Sequence, residues 1–373
     1  MAFMKLNFKK IKLPSLHFLR SKEMLGIDLG STSLKIVQIS GGKLIRCSYK
    51  ELDPKDAAPE LPPADKSAAL VALLQSFLSE EKGAPRVGAV SISGNSVIVR
   101  YVKLPKLPRE ELDKTIQFEA EPYIPFAIPE VNIGFHILGD VVEDGQAKME
   151  TVLVAAKKEL IDQRLGVLND VGIRPIVVDV DAFAMESAYG AVMGNAQETA
   201  LMINIGANVT TMIILENGLS RVVRDVFIAG NTINKSLQRI FDCSFEEAEK
   251  LKRKGQILVT PDEKEATLAQ DDQDALQISN TIVTVMKDLV AEVQRSLDFF
   301  LSQNPERQIN RILLCGGAST INGLDRYFSQ ELHMAVEFFD PFASLVGENL
   351  PEPALRPAFT VAVGLATRRE GDL

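Results

Sequence analysis

Tryptophan is absent from this 373-residue sequence, and only three histidines and three cysteines are present. Cys47, Cys243 and Cys315 are widely separated and form no Cys-x-x-Cys pair, so the sequence carries no zinc-binding pattern. Separated thiols are typical of a protein in a reducing compartment. The histidines form no His-x-x-x-His pair, which argues against a histidine metal site and against histidine catalysis.

The chain also has few aromatic residues, 6% in all, and a formal net charge of −9. Nucleic-acid binding needs clustered Lys and Arg, and single-strand binding needs aromatic platforms, so both classes are disfavoured. No apolar run reaches the roughly 20 residues of a membrane helix. The most apolar stretch, Leu201–Leu215, is interrupted by Asn204 and Asn208. No signal-peptide core is apparent, and we expect a cytoplasmic protein.

The N-terminal segment, 1–23, has a charge opposite to that of the whole chain. Its first 22 residues contain no acidic residue, and apolar residues are interspersed among the basic ones. The basic residues are Lys5, Lys9, Lys10, Lys12, Arg20 and Lys22. Such a segment can lie on an anionic membrane surface as a basic amphipathic segment. The alternative is a solvated leader, because Pro14 interrupts any helix.

A short polar turn between two apolar runs is the central motif of the sequence. The stretch Leu25–Ile39, LGIDLGSTSLKIVQI, predicts a β-hairpin in which Gly30 lets the chain turn tightly. The groups that would cradle phosphate oxygens belong to Ser31, Thr32 and Ser33, with Lys35 just beyond. Asp28, at the strand end, suits Mg²⁺ held through water. An ordinary hairpin turn explains this stretch alone equally well.

Two later stretches add to this motif. Leu201–Leu215 repeats the plan of an apolar strand, a short turn at Gly206 and a second apolar strand. Ile312–Leu324 is an apolar strand that ends in Gly316-Gly317, where the missing side chains permit close approach of a ligand. Together with Leu25–Ile39, these stretches predict two hairpins and a glycine pair around one binding site.

The three motifs, in this order, resemble the actin/Hsp70/sugar-kinase superfamily. Val178–Ala188 and Phe359–Thr367 fall where that superfamily has its two connecting helices. The resemblance implies ATP and Mg²⁺ in a cleft between two lobes, with Asp28 at the metal. The implied phosphate-binding residues are Gly30, Ser31, Thr32, Ser33, Lys35, Gly206, Asn208, Thr210 and Thr211. The implied adenosine-binding residues are Gly316, Gly317 and Ser319.

The sequence departs from that superfamily at two points. Its second phosphate motif usually begins with Asp, and here the residue is Asn204, which cannot share the charge of a metal ion. Asp179, Asp181 and Glu186 lie near the first connecting helix, but none matches a hydrolytic residue. We therefore expect ATP binding with at most slow hydrolysis, because hydrolysis also needs a positioned water and charge stabilisation.

Between the first lobe's strands, Ser96–Arg174 predicts a β-α-β-β-α insert. Its first part resembles the PilM family of type IV pilus assembly proteins, which is similar in fold to the cell-division protein FtsA. The resemblance rests on Arg100, Leu104-Pro105, Glu111-Leu112, Glu119-Ala120-Glu121 and Tyr123–Phe126. It implies a partner, the cytoplasmic N-terminal tail of the inner-membrane protein PilN, and a location at the inner face of the inner membrane.

The expected fold is therefore α/β, a two-lobed actin/Hsp70-like ATPase fold with an SHS2-like insert in the first lobe. The expected parts are a leader at 1–23, a first lobe at 24–95 and 175–198, an insert at 96–174, a second lobe at 199–230 and 276–373, and a small subdomain at 231–275. The turn with Tyr123, Pro125 and Phe126 either binds the partner or packs its aromatic rings inward.

Alternatives of other classes stay open at this point. One is a small-molecule kinase of the same superfamily, and another is a filament-forming, membrane-associated protein similar to FtsA. Within the predicted helix Leu276–Leu301, Glu292 and Arg295 either flank a ribose or form an outward ion pair. The polar run Pro261–Asp274 predicts a loop.

Overall fold

The computed structural model describes residues 24–194, 196–304 and 306–370, so the basic leader at 1–23 lies outside the described residues. The strands are β1 (Leu25–Leu29), β2 (Ser33–Ser40), β3 (Lys43–Glu51), β4 (Val87–Ile92), β5 (Val97–Pro105), β6 (Val131–Glu143), β7 (Gln146–Lys157), β8 (Arg174–Val180), β9 (Thr199–Ile205), β10 (Thr210–Glu216), β11 (Leu219–Val226), β12 (Arg311–Cys315) and β13 (Val336–Phe338). The helices are α1 (Pro54–Ala57), α2 (Pro63–Glu80), α3 (Arg109–Ala120), α4 (Lys158–Asp170), α5 (Asp181–Met193), α6 (Gly230–Phe241), α7 (Phe245–Lys254), α8 (Pro261–Ala269), α9 (Gln273–Ser302), α10 (Leu324–Leu332) and α11 (Thr360–Ala366).

The first lobe is built on a five-stranded sheet in the order β3-β2-β1-β4-β8. Strands β1 and β2 form the predicted hairpin, in which Ile27 pairs with Ile36 and both side chains are fully buried. Strand β1 runs parallel to β4, and β4 runs parallel to β8. The carboxyl ends of these three strands therefore meet at one edge of the sheet.

The second lobe repeats the plan of the first. Its sheet has the order β11-β10-β9-β12-β13, with β9 antiparallel to β10 and parallel to β12. Helix α9 covers this sheet with apolar side chains at helical spacing, among them Ile282, Leu289, Val293 and Phe300, all fully buried. The expected two-lobed fold is thus confirmed.

Two helices, α5 and α11, cross in close contact where the motifs predict the connecting helices. A β-carbon at Gly364 of α11 would lie 1.8 Å from the carbonyl oxygen of Ala184 in α5. One at Gly26 of β1 would lie 2.2 Å from the carbonyl oxygen of Ala362. Glycine at these two positions lets backbones approach more closely than any side chain permits.

The insert has the predicted order β5, α3, β6, β7 and α4, and its sheet has the order β5-β7-β6. Strand β7 is buried on both faces: Leu153 packs in the insert's own core with Leu112 of α3, whereas Val152 and Val154 pack in the first lobe's core. Helix α4 packs its buried residues, including Ile161, against the first lobe. The insert therefore shares a wide contact with the first lobe.

One expectation of the sequence was wrong, since helix α8 occupies most of the run predicted as a loop. Thr260 precedes this helix, and the Glu263 amide donates to its hydroxyl over 3.2 Å while the Thr260 amide donates to the Glu263 carboxylate over 3.0 Å. This reciprocal cap, with Pro261 at the first helical position, starts a helix that polar composition alone does not indicate.

On α9, Glu292 forms an outward ion pair, which is one of the two alternatives that the sequence left open. Its carboxylate pairs with Arg295 on the same helix and with Arg224 of β11. Among the described residues, no helix combines the length and the hydropathy that a membrane span requires.

Candidate functional site

A cavity of about 290 Å³ lies between the two lobes, at the edge where the parallel strands end. Both predicted hairpin turns and the glycine pair line it. The predicted site residues that line it are Asp28, Gly30, Ser31, Thr32, Ser33, Lys35, Gly206, Asn208, Thr211, Gly316 and Gly317. Thr210 and Ser319 are buried behind them: the Thr210 hydroxyl donates to the Ile228 carbonyl and the Ser319 hydroxyl donates to the Gly316 carbonyl, each over 2.7 Å.

The two hairpin turns have the same local geometry. The amide of Gly30 donates to the carbonyl of Ser33 over 3.1 Å, and the amide of Gly206 donates to the carbonyl of Val209 over 3.0 Å. At each glycine a β-carbon would lie 2.7 Å from that same carbonyl oxygen. Both turns therefore need glycine for the same reason: a side chain would collide with the carbonyl oxygen that accepts the turn's hydrogen bond. Each lobe thus presents an equivalent loop to the shared cavity.

Helix α6 supports the second turn from behind. The amide of Gly230 donates to the carbonyl of Gly206 over 3.0 Å, and the amide of Asn231 donates to the carbonyl of Ala207 over 2.7 Å. The Asn231 side-chain amide also donates to Oδ1 of Asn208 over 2.7 Å. The start of α6 thus fixes the shape of the turn. It also holds the side chain of Asn208 in a defined position beside the cavity.

Two carboxylates stand at one end of the cavity. Asp28, the next-to-last residue of β1, forms an ion pair with Lys35 over 3.0 Å, and Asp181 follows β8 as the first residue of α5. Burial and then the charge of Asp28 raise the pKa of Asp181 to about 6, against hydrogen bonds from Ser91 and Ser93. The sequence placed Asp181 near the site but without a role, because only the parallel arrangement of β1 and β8 brings the two carboxylates together.

This acidic end fits a magnesium ion by its donor chemistry. Two carboxylates and neighbouring hydroxyl groups provide the oxygen ligands that Mg²⁺ prefers, and Mg²⁺ takes its other ligands from water and phosphate. No group of three or more His, Cys, Asp or Glu side chains suited to a metal occurs within the part of the chain that the structure describes. This end of the cavity thus offers the carboxylates of Asp28 and Asp181 to such an ion.

Helix α7 brings three charged residues to the cavity that the sequence did not mark: Glu249, Lys252 and Arg253. Glu249 pairs with both cations and accepts a hydrogen bond of 2.7 Å from Asn234. Burial raises the pKa of Glu249, but Lys252, Arg253 and Asn234 outweigh it and lower the pKa to about 2. In sequence these residues are indistinguishable from the charged face of any surface helix.

The two lobes also touch across the edge of the cavity. Arg253 of the second lobe donates to the carboxylate of Glu51 in the first lobe over 2.8 Å. Both side chains line the cavity, so this ion pair spans its mouth. Any ligand that fills the cavity lies beside this pair.

The glycine pair after β12 is shaped by Asn204. Gly316 has a φ of 89°, and a β-carbon there would lie 2.4 Å from Oδ1 of Asn204. The Asn204 amide, which stands where an Asp was expected, therefore packs against the glycine turn as well as lining the cavity.

The three insert residues proposed for partner binding lie away from the cavity. Tyr123 is 39% exposed and Pro125 is exposed, whereas Phe126 is half-buried against the core of the insert. The ammonium group of Lys157 lies 5.2 Å from the centre of the Phe126 ring. Phe126 is thus partly turned inward, and Tyr123 is the aromatic residue of this turn that faces solvent.

Two duplicated lobes around a polar cleft define an actin-like protein, and comparison with solved structures supports this class. MreB5 of Spiroplasma citri bound to AMPPNP is 13% identical and matches with a TM-score of 0.53, over 93% of this chain and 95% of that one. The ethanolamine utilization protein EutJ of Carboxydothermus hydrogenoformans, also 13% identical, matches with a TM-score of 0.53 over 93% of this chain and 90% of its own.

A closer likeness narrows the class to one family. The model of the family "Type IV pilus assembly protein PilM" matches residues 26–370. A solved PilM-PilN type IV pilus biogenesis complex contains a chain 26% identical to this one, with a TM-score of 0.77 over 93% of this chain and 98% of that chain. The chain belongs to the PilM family of type IV pilus assembly proteins.

Proposed function

We propose that this protein is a nucleotide-binding scaffold of the type IV pilus machinery, which binds ATP with Mg²⁺ between its lobes and the N-terminal tail of PilN on its surface. The observation that carries the nucleotide part is the pair of equivalent glycine turns at Gly30 and Gly206, which face one cavity from opposite lobes. Backbone amides and hydroxyls of such turns bind phosphate oxygens.

The charges along the cavity set the direction of the nucleotide. At one end, the Glu249 carboxylate offers an acceptor for the ribose hydroxyl groups, and Gly316-Gly317 admits the flat adenosine. At the other end, Lys35 and the turn residues would bind the phosphates, and Asp28 with Asp181 would hold Mg²⁺. The magnesium ion would supply charge neutralisation for the phosphate groups.

Slow hydrolysis is part of this proposal. Asn204 replaces the acidic residue that would share a metal's charge, and its amide packs against Gly316. Asp181 accepts hydrogen bonds from Ser91 and Ser93, and it matches no hydrolytic residue of the superfamily. Nucleotide binding is then suited to stabilising one arrangement of the lobes rather than to rapid turnover.

The family and the PilM-PilN complex support PilN as the partner. PilN's cytoplasmic tail would place this protein at the inner face of the inner membrane. Tyr123, Pro125 and Phe126 on the insert are the candidate partner surface, since the exposed ring of Tyr123 and the adjacent Pro125 offer apolar contacts to a peptide.

The nucleotide part is tested by an isosteric substitution. Asn208→Asp keeps the acceptor for Asn231 and adds a negative charge to the second phosphate turn. We expect ATP-Mg affinity, measured by calorimetric titration, to fall by about tenfold or more, because a like charge beside phosphate is unfavourable. Asn217→Asp, in the β10–β11 turn outside the cavity, is the matched control and should bind as the unmodified protein does.

Equal affinity of Asn208→Asp and Asn217→Asp would contradict a phosphate site at this turn. Two alternatives have their own signatures. A small-molecule kinase would consume ATP when a phosphate acceptor is added, and an FtsA-like filament would sediment in proportion to protein concentration in the presence of ATP.

A further inference from the structure

Helix α4 carries an arginine from the end of the insert into the cavity. The helix begins at Lys158, directly after β7 ends at Lys157, so no loop separates it from the insert's central strand. Arg164, in the middle of α4, lines the cavity, and its Nη1 donates to the carbonyl of Leu29 over 2.7 Å. Leu29 is the last residue of β1, immediately before the Gly30 turn.

The guanidinium group of Arg164 is incompletely satisfied. Its Nε is buried and has no hydrogen-bond partner within the described residues. Burial lowers the pKa of Arg164, and the nearby charges of Asp181 and Asp28 oppose that shift. A buried donor without a partner costs free energy. The Arg164 side chain lines the cavity, so an anion there gains a charge-assisted contact with the guanidinium group.

The guanidinium group of Arg164 and its neighbours indicate which kind of ligand group would bind to it. Guanidinium presents its N–H groups as a planar fork that matches phosphate oxygens, and it stays charged when buried. Arg164 stands beside the first phosphate turn, at the end of the cavity that holds Asp28 and Asp181. Glu249, where the proposed function places the ribose, lies instead on the second lobe, in contact with Asn234, Lys252 and Arg253. The phosphate group farthest from the ribose is therefore the one within reach of Arg164.

We propose that Arg164 binds the terminal phosphate of the nucleoside triphosphate and so makes helix α4, and the insert attached to it, sensitive to whether that phosphate is present. This inference rests on the proposed nucleotide function. Within that function it separates ATP from ADP: ATP offers a terminal phosphate to the guanidinium group of Arg164, and ADP does not.

This difference provides a link between cavity and insert. A ligand shifts a conformational equilibrium only through contacts that differ between the states. The contact of Arg164 with a terminal phosphate is such a contact, and α4 joins it to β7, whose two faces bind the insert's core and the first lobe's core. The route from the terminal phosphate through Arg164 and α4 to β7 is the path by which the nucleotide would act on the insert.

The test compares ATP-Mg and ADP-Mg affinities for Arg164→Gln and the unmodified protein. One lost charge-assisted contact lowers affinity by about tenfold to a hundredfold, and this loss should fall on ATP while ADP changes by less than about threefold. Arg164→Lys, which keeps the charge but not the fork, should fall between the two. Arg86→Gln is the control, because Arg86 also donates to a backbone carbonyl, that of Val171, but does not line the cavity.

The outcomes separate cleanly. A reduced ATP-to-ADP preference in the Arg164 variants, but not in Arg86→Gln, supports the proposal. Equal losses for ATP and ADP, with a lowered melting temperature, would assign Arg164 a structural role and overturn it. An unchanged preference in folded Arg164→Lys and Arg164→Gln would also overturn it. Failure of the unmodified protein to bind either nucleotide would instead remove the proposed function itself.

Discussion

The backbone amide of Gly94, in the first lobe, donates to Oδ2 of Asp225, in the second lobe, over 2.7 Å. The other oxygen of Asp225 accepts from the hydroxyl of Thr211 over 2.7 Å. Thr211 lines the cavity, so one carboxylate ties the β9–β10 hairpin to the opposite lobe. Burial raises the pKa of Asp225, while the hydrogen bonds from Gly94 and Thr211 oppose that shift.

Asp225→Ala should therefore destabilise the folded protein. The substitution leaves the Gly94 amide and the Thr211 hydroxyl without their acceptor, at a cost of about 1–3 kcal/mol in the free energy of unfolding. Urea denaturation of Asp225→Ala and of the control Asp298→Ala, an exposed position on α9, measures the difference. Equal unfolding midpoints for the two variants would show that the carboxylate does not tie the lobes together.

Gly364→Ala tests the crossing of α5 and α11. The new methyl group would lie 1.8 Å from the carbonyl oxygen of Ala184, so the two helices must move apart. Overpacking of this kind costs about 1–3 kcal/mol or more, and the melting temperature should fall by several degrees. Gly166→Ala, in α4 with open space around it, is the matched control and should be neutral or stabilising. A melting temperature of Gly364→Ala equal to that of the control would refute this close approach.

Glu249→Gln tests the charges of the cavity through pH. The pKa of Glu249 is about 2 in the folded protein, below the ordinary value of 4.5, so its ionised form stabilises the fold above pH 4.5 and this contribution is lost as the pH falls toward 2. Between pH 7 and pH 3.5 the unfolding free energies of the unmodified protein and the variant should converge by about 1 kcal/mol. If the difference in unfolding free energy between the two proteins stayed constant across this range, the lowered pKa of Glu249 would be contradicted.

Tyr123→Asp tests the partner surface of the insert. The exposed ring is replaced by a charge, and the loss of one central aromatic contact should weaken PilN-tail binding by about tenfold or more. Val142→Asp is the control, because Val142 is 78% exposed near the far end of the same insert. Fluorescence anisotropy with a labelled tail peptide gives both affinities. Equal weakening by the two variants would place the partner elsewhere.

The hairpins and the glycine turns were predictable because their signals are local, whereas the connecting helices were expected from the resemblance to the superfamily. Gly30 and Gly206 follow apolar strands, and each turn's hydrogen bond closes within three residues. The insert was predictable from alternating apolar residues and from its resemblance to the PilM family. In each case the sequence neighbours of a residue determine its conformation, so a single stretch carries the information.

The missed residues share a different property: each reaches the site from an element distant in sequence. Asp181 meets Asp28 because β1 and β8 are parallel, and Arg164 meets Leu29 because α4 packs on the first lobe. Glu249 differs in no sequence feature from Glu246 on the same helix, yet one faces the cavity and the other pairs with Lys250 at the surface. Such placements depend on how elements pack, which periodicity does not specify.

The most direct test of a nucleotide-dependent scaffold is titration of a labelled peptide from PilN's cytoplasmic N-terminus, without nucleotide, with ADP-Mg and with ATP-Mg. We predict a dissociation constant of about micromolar or lower, and an affinity in ATP-Mg that differs from that in ADP-Mg, since linked sites change each other's affinity. Absence of binding in all three conditions would contradict the account.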